Sequence, residues 1–113
     1  MEIIINEKPL SVNKVWQGKR FKTKEYKAYE ELLLYILPKG KVPAGKLRID
    51  YVFGFSNSAS DIDNPVKPIT DILSKKYGFN DKMIYESRQK KVIVKKGQEY
   101  IKVRIKSYQQ DSL

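Results

Sequence analysis

Two aspartates one residue apart, Asp61 and Asp63, open the stretch in which this chain concentrates groups able to do chemistry. The run is Asp61-Ile62-Asp63-Asn64-Pro65-Val66-Lys67, followed by Asp71, Lys75 and, beyond Gly78-Phe79-Asn80, Asp81. Carboxylates at i and i+2 on a strand or extended loop leave the same side and converge. Like charges held within a few ångströms repel unless a cation compensates, and Mg²⁺ takes oxygen ligands from one or two carboxylates together with water and phosphate. The pair therefore points to a hard divalent ion. An equally simple reading has both aspartates capping a helix that starts at Asn64-Pro65 and favouring its positive end. Lys67, Asp71 and Lys75 follow Asp63 at intervals of four, which places them along one stripe of that helix. A salt-bridge ladder accounts for Asp71 and Lys75. Lys67, one turn above the carboxylates, is expected to meet a phosphate or a developing negative charge. A short helix followed by a turn can bring Asp81 back beside Asp61 and Asp63.

The chain has no cysteine and no histidine. This excludes disulfides, thiolate or imidazole metal sites, and nucleophiles activated by histidine. Chemistry is left to carboxylates, Lys, Tyr, Ser and Thr. Of the eight tyrosines, Tyr26, Tyr29 and Tyr51 fall at helix and strand spacing and read as core, which argues against a covalent tyrosine intermediate. Against 13 acidic residues stand 23 Lys plus Arg, for a net charge of +10. Residues 61–86 hold five acids and four lysines, a local charge of −1, so the remainder carries +11. A basic body around an acidic centre suits a polyanion partner through counterion release, and nucleic acid is the first candidate. Ordinary solvation is the plainer account of a basic surface.

The elements that must position these residues follow from periodicity. Glu2-Ile3-Ile4-Ile5 reads as a short strand, and Pro9 forces an extended or turning stretch after it. Residues 10–23 show no clean period and are expected to form an ordered loop. Thr23 looks like an N-cap for a helix with Tyr26, Tyr29, Leu33 and Ile36 or Leu37 on its inner face, ending at Pro38-Lys39-Gly40. Leu47, Ile49, Tyr51, Phe53 and Phe55 alternate as in a strand. The second helix starts at Asp63 or Asn64, with Pro65 in its first turn, and stops at Gly78. Two strands, about 84–95 and 99–107, are joined by a turn at Lys96-Gly97. The expected fold is thus one α/β domain (mixed α+β) spanning 1–113, in the order β-α-β-α-β-β, with a mixed sheet and two helices. No apolar run approaches the ~18 residues of a membrane span, and no leader pattern precedes the first strand. A cytoplasmic protein is expected.

The run Asp61-x-Asp63-Asn64-x-x-Lys67, then Asp71 and Leu73, then Phe79-Asn80-Asp81-x-x-Ile84, resembles the core motif of RusA-type Holliday-junction resolvases. The likeness extends to Pro9-Leu10-Ser11-x-Asn13 and to the order of elements. It implies a homodimeric crossover-junction endodeoxyribonuclease that cuts four-way DNA with Mg²⁺ or Mn²⁺ in recombination and repair, in a bacterial or phage-infected cell. Carried over residue by residue, it makes Asp61, Asp63 and Asp81 metal ligands, Lys67 the active-site lysine and Asn64 a supporting residue. The chain departs from the pattern at Asn80-Asp81, where the family commonly has two aspartates. Junction binding is expected from Lys14, Lys19, Arg20, Lys22, Lys24 and Lys27, with the Lys102, Arg104 and Lys106 strand face beside them. Trp16 and Phe21 lie within the first basic run and either stack on an opened base or plug a sheet edge. Two other readings remain: a nuclease acting on other branched DNA such as forks, and a basic binding module whose aspartates only cap a helix.

Overall fold

The computed structural model describes residues 1–17 and 21–110, with the side chains of Trp16, Gln17 and Phe21 outside that description. A four-stranded mixed sheet carries two helices in one α+β domain, as the periodicities predict. Strands β1 (Glu2–Ile5), β4 (Leu47–Phe55), β5 (Ile84–Ile93) and β6 (Tyr100–Ser107) form the sheet in the order β1-β6-β4-β5. Helix α1 spans Lys24–Ile36 and α2 spans Val66–Tyr77. Where residues 10–23 are expected to form an ordered loop, those of them that the structure describes carry short regular elements. They form a 3-10 turn at Val12–Lys14 and a small antiparallel pair, β2 (Trp16–Gln17) with β3 (Phe21–Lys22). The Val15 carbonyl accepts from the Thr23 N–H at 2.9 Å, which closes this excursion on itself.

β4 and β5 run parallel, and α2 is the crossover between them that a parallel pair requires. β6 pairs antiparallel with β4 on its other side, so residues 94–99 carry the chain across β4 rather than closing a hairpin. The odd-numbered residues of β4 and Ile101, Val103 and Ile105 of β6 are buried. They meet Tyr26, Leu33 and Leu37 from the first helical segment and Ile69, Ile72 and Leu73 from α2 in one cluster. Thr23 caps α1 by accepting the Tyr26 N–H, and Gly78 ends α2 in a left-handed turn at φ 72° that a side chain would strain.

The start of α2 differs from the expectation in a way that matters. Its N-cap is Pro65, without a side-chain cap hydrogen bond. Neither Asp63 nor Asn64 caps the helix; the Asp63 main-chain carbonyl accepts from Val66 N–H at 3.2 Å, closing a turn before the helix. Pro65 stays in this turn with φ −83°, and its fixed ring makes the Asn64 peptide a poor first helical unit. The Asp61 and Asp63 carboxylates are thereby left to other partners.

Candidate functional site

A cleft of about 450 Å³ opens between the start of α2, the turn after it and β5. Asp63, Lys67 and Asp81 line it together with Tyr51, Val66, Thr70, Ile84, Ser87 and Gln89. Three segments supply the charged groups. The loop after β4 brings Asp63, the first turn of α2 brings Lys67, and a 3-10 turn at Asp81–Met83 brings Asp81. That last turn is fixed by Asn80, whose side chain accepts from the Lys82 N–H at 3.0 Å. Ser74 of α2 holds it from the other side by donating to the Phe79 carbonyl at 2.5 Å.

Lys67 is the centre of the charge arrangement. Its ammonium lies 2.9 Å from Asp71 and 3.6 Å from Asp81, while its side chain is 61% exposed. The Asp71 hydrogen bond, with smaller contributions from the charges of Asp71 and Asp81, holds the lysine above its usual pKa. Lys67 is therefore a fixed positive charge at neutral pH, suited to a phosphate and unsuited to accepting a proton. The helix stripe forms only its first rung, because Lys75 crosses to Glu30 of α1 at 3.1 Å instead of meeting Asp71.

Asp61 is placed differently. It lines an adjoining groove with Lys8, Ser11, Ser56, Asn64 and Glu99, and accepts a long hydrogen bond of 3.5 Å from the Asn64 side chain. The expected convergence of Asp61, Asp63 and Asp81 is thus only partly assembled. Among the described residues no group of three acidic side chains stands close enough to hold a metal ion. Asp63 and Asp81 do open on one cleft, and two carboxylates with water and phosphate suffice for Mg²⁺, so the oxygen donor set fits a hard divalent ion.

The cleft floor was not legible as a site. Tyr51 lies beneath it, its hydroxyl 2.5 Å from Thr70 Oγ1, which in turn donates to the Val66 carbonyl at 2.6 Å. Burial pushes the Tyr51 hydroxyl up to about 12, against a lowering contribution from Thr70, so the phenol stays protonated at neutral pH. Ser87 and Gln89 of β5 were also missed. A sequence signal for them existed: their positions face the helices, where β4 and β6 are apolar, yet β5 carries Ser87, Gln89 and Lys91 there. A polar column on the inner side of an edge strand marks sheet that no helix covers.

The basic segment abuts this site. The Val12 N–H donates to the Asn64 carbonyl at 2.8 Å, which ties the Ser11-to-Asn13 turn to the residue after Asp63. Lys14 faces Glu25 at 3.7 Å and Lys22 faces Glu30 at 3.8 Å, while Lys24 and Lys27 are exposed. Lys19 and Arg20, also expected to bind DNA, lie outside the described residues, as do the Trp16 and Phe21 side chains. On the sheet face away from the helices, Glu2 takes up Lys102 at 3.3 Å and Arg104 at 3.0 Å, so one unit of the positive charge of Lys102, Arg104 and Lys106 is offset there.

Comparison with known proteins finds no family model that matches this chain and no curated protein that does. Among the described residues, no helix is long and apolar enough to cross a membrane.

Proposed function

We propose that this chain is a divalent-metal-dependent endonuclease for branched DNA, of the type that resolves four-way junctions by paired phosphodiester hydrolysis. One observation carries the reading: Asp63, Lys67 and Asp81, from three separate segments, open on the same cleft, and Asp63 makes no helix cap. The resemblance of the surrounding motif to RusA-type resolvases supports it, as does a net charge of +10 around a locally acidic centre.

Asp63 and Asp81 would hold Mg²⁺ or Mn²⁺. Asp61 would join them through a local rotation of residues 61–63 that turns its side chain out of the adjoining groove. The bound ion would supply an activated water and neutralise the leaving oxygen, both of which a chain without histidine needs from outside. Lys67 faces the phosphate and stabilises charge that develops on its oxygens. Asp71 holds that ammonium in place, and Asn64 braces the loop through its contact with Asp61. Ser87 and Gln89 offer hydrogen bonds along the strand wall. The exposed Lys24 and Lys27, with Lys14 and Lys22 beside them, grip the phosphates of a DNA arm. Two copies about a two-fold axis match the symmetry of a four-way junction and give two cuts. The reading carries with it a cytoplasmic site of action in a bacterial or phage-infected cell.

A non-catalytic basic DNA-binding module is the second reading, favoured by the incomplete gathering of the three aspartates. Incubation of the protein with a synthetic four-way junction, a fork and a linear duplex, each in Mg²⁺ and in EDTA, tests the two. Symmetric nicks near the crossover, in Mg²⁺ only and on the junction before the other substrates, are expected. Preference for forks would narrow the substrate to other branched DNA, and binding without any cut would leave the binding module.

A further inference from the structure

Lys91 of β5 reaches the loop that carries the two leading aspartates with its side chain. Its ammonium donates to the main-chain carbonyls of Ser58 and Ser60 at 2.6 and 2.5 Å. The side chain reaches there from the inner face of the sheet, since Lys91 is paired with the core residue Phe53, and its ammonium lies 5.9 Å from the Phe55 ring centre. A surface lysine left to solvent keeps its rotamer freedom; this one gives it up to bridge two alternate carbonyls of one loop. Fixing two carbonyls two residues apart sets the direction of the backbone that enters Asp61. On the far side of the aspartates, the Asn64 carbonyl is held by the Val12 N–H. The segment Asp61–Asp63 is thus suspended between two anchors supplied from outside the loop.

We propose that Lys91 is a positioning residue: it fixes the backbone that leads into Asp61 and Asp63 and so sets how their carboxylates can turn toward metal and substrate. The proposal rests on the nuclease reading for its catalytic consequence, whereas the clamp itself is a property of the folded chain. Lys91 touches neither substrate nor the reacting atoms, so its removal acts on placement. A displacement of about 1 Å at such a site costs on the order of 100-fold in rate.

The test compares wild type with Lys91→Met, which keeps the stem and removes the donors, and Lys91→Arg, which keeps charge and donors. Amide hydrogen exchange without DNA or metal should rise about tenfold or more at the hydrogen-bonded loop amides of Ala59 and Ser60 in the Met variant, as expected for losing a charged hydrogen bond. Exchange in β4 and β6 should stay at the wild-type level, and the Arg variant should restore most of the loop's protection. On a four-way junction, the Met variant should cleave about 10- to 100-fold more slowly and require more Mg²⁺. Its junction affinity in EDTA should be unchanged, and the Arg variant should recover part of the rate. Unchanged loop exchange overturns the clamp, and raised exchange with unchanged cleavage overturns its positioning role. If core exchange reveals that the Met variant is unfolded, Lys91→Gln replaces it. Should wild type cut nothing, the nuclease reading falls, and the exchange comparison still decides the clamp.

Discussion

Lys67 is held by Asp71 at 2.9 Å and faces Asp81 at 3.6 Å, and both carboxylates favour its charged form. A raised lysine pKa means that the stabilisation from this charge is complete below the ordinary lysine value of about 10.4 and fades only as pH rises through the folded value. The cleavage rate should accordingly show no loss from Lys67 deprotonation up to about pH 10; a decline near neutrality that vanishes in a Lys67→Met enzyme would contradict this. Lys67→Met itself should cut about 10²- to 10³-fold more slowly, the size of effect seen when one donor to a developing oxyanion is removed. Lys67→Arg, which keeps the charge but changes its shape, should fall between. Steady-state rates on the junction at saturating Mg²⁺ check both variants.

At the level of elements, the β4-α2-β5 unit brings all three charged cleft residues onto one cleft beside α2 and the inner face of β5, from the loop before α2, its first turn and the turn after it. Its packing leaves little slack. A methyl group on Gly54 would come within 2.5 Å of the Tyr100 ring on the neighbouring strand. Gly54→Ala should destabilise by about 1–3 kcal/mol through forced displacement of that ring, measured by denaturant unfolding. Glu30 ties α1 to Lys75 of α2; burial raises its pKa, but the hydrogen bond and charge of Lys75 and the charge of Lys22 outweigh this and leave it below the usual glutamate range. Its contribution is therefore present above the ordinary glutamate pKa and is lost as pH falls through the folded value. Glu30→Gln should cost about 0.5 kcal/mol at neutral pH, because solvent screens the exposed lysine, and should make acid unfolding shallower between about pH 5 and 3. Both helices and the long strands were legible because their apolar periods agree with their burial, as Leu47, Ile49, Tyr51, Phe53 and Phe55 illustrate. Two features were not: that the polar inner column of β5, itself expected as a strand, faces the cleft, and that the 94–99 connection crosses β4 although it looks local, since strand order depends on which partners bury best. Spacing led to the expectation that Asp61, Asp63 and Asp81 converge, and the structure brings Asp63 and Asp81 to one cleft with Lys67; spacing on a loop does not fix side-chain direction, and Asp61 turns into the next groove.

The whole molecule sets an acidic cleft in a chain of +10 net charge, with helices on one face of the sheet and paired charges on the other. Binding to a polyanion should then run through the segment before and within α1 more than through the bare strand face, where Glu2 occupies Lys102 and Arg104. Replacing Lys24 and Lys27 together by Ala should weaken junction binding uniformly across sequences and reduce the slope of log K against log salt by about 0.9 for each phosphate that is no longer neutralised. An unchanged slope in fluorescence anisotropy titrations would move the DNA surface elsewhere. The central claim is that Asp63 and Asp81 act in cleavage rather than in folding or binding. Its most direct measurement is single-turnover cutting of a four-way junction in Mg²⁺ by wild type, Asp63→Asn and Asp81→Asn, with binding followed in parallel in EDTA. Paired nicks by wild type, reduced to background in both variants while junction affinity is retained or rises, are the predicted result. Wild-type binding with no nick in Mg²⁺ or Mn²⁺, or variants that cut as fast as wild type, would contradict it.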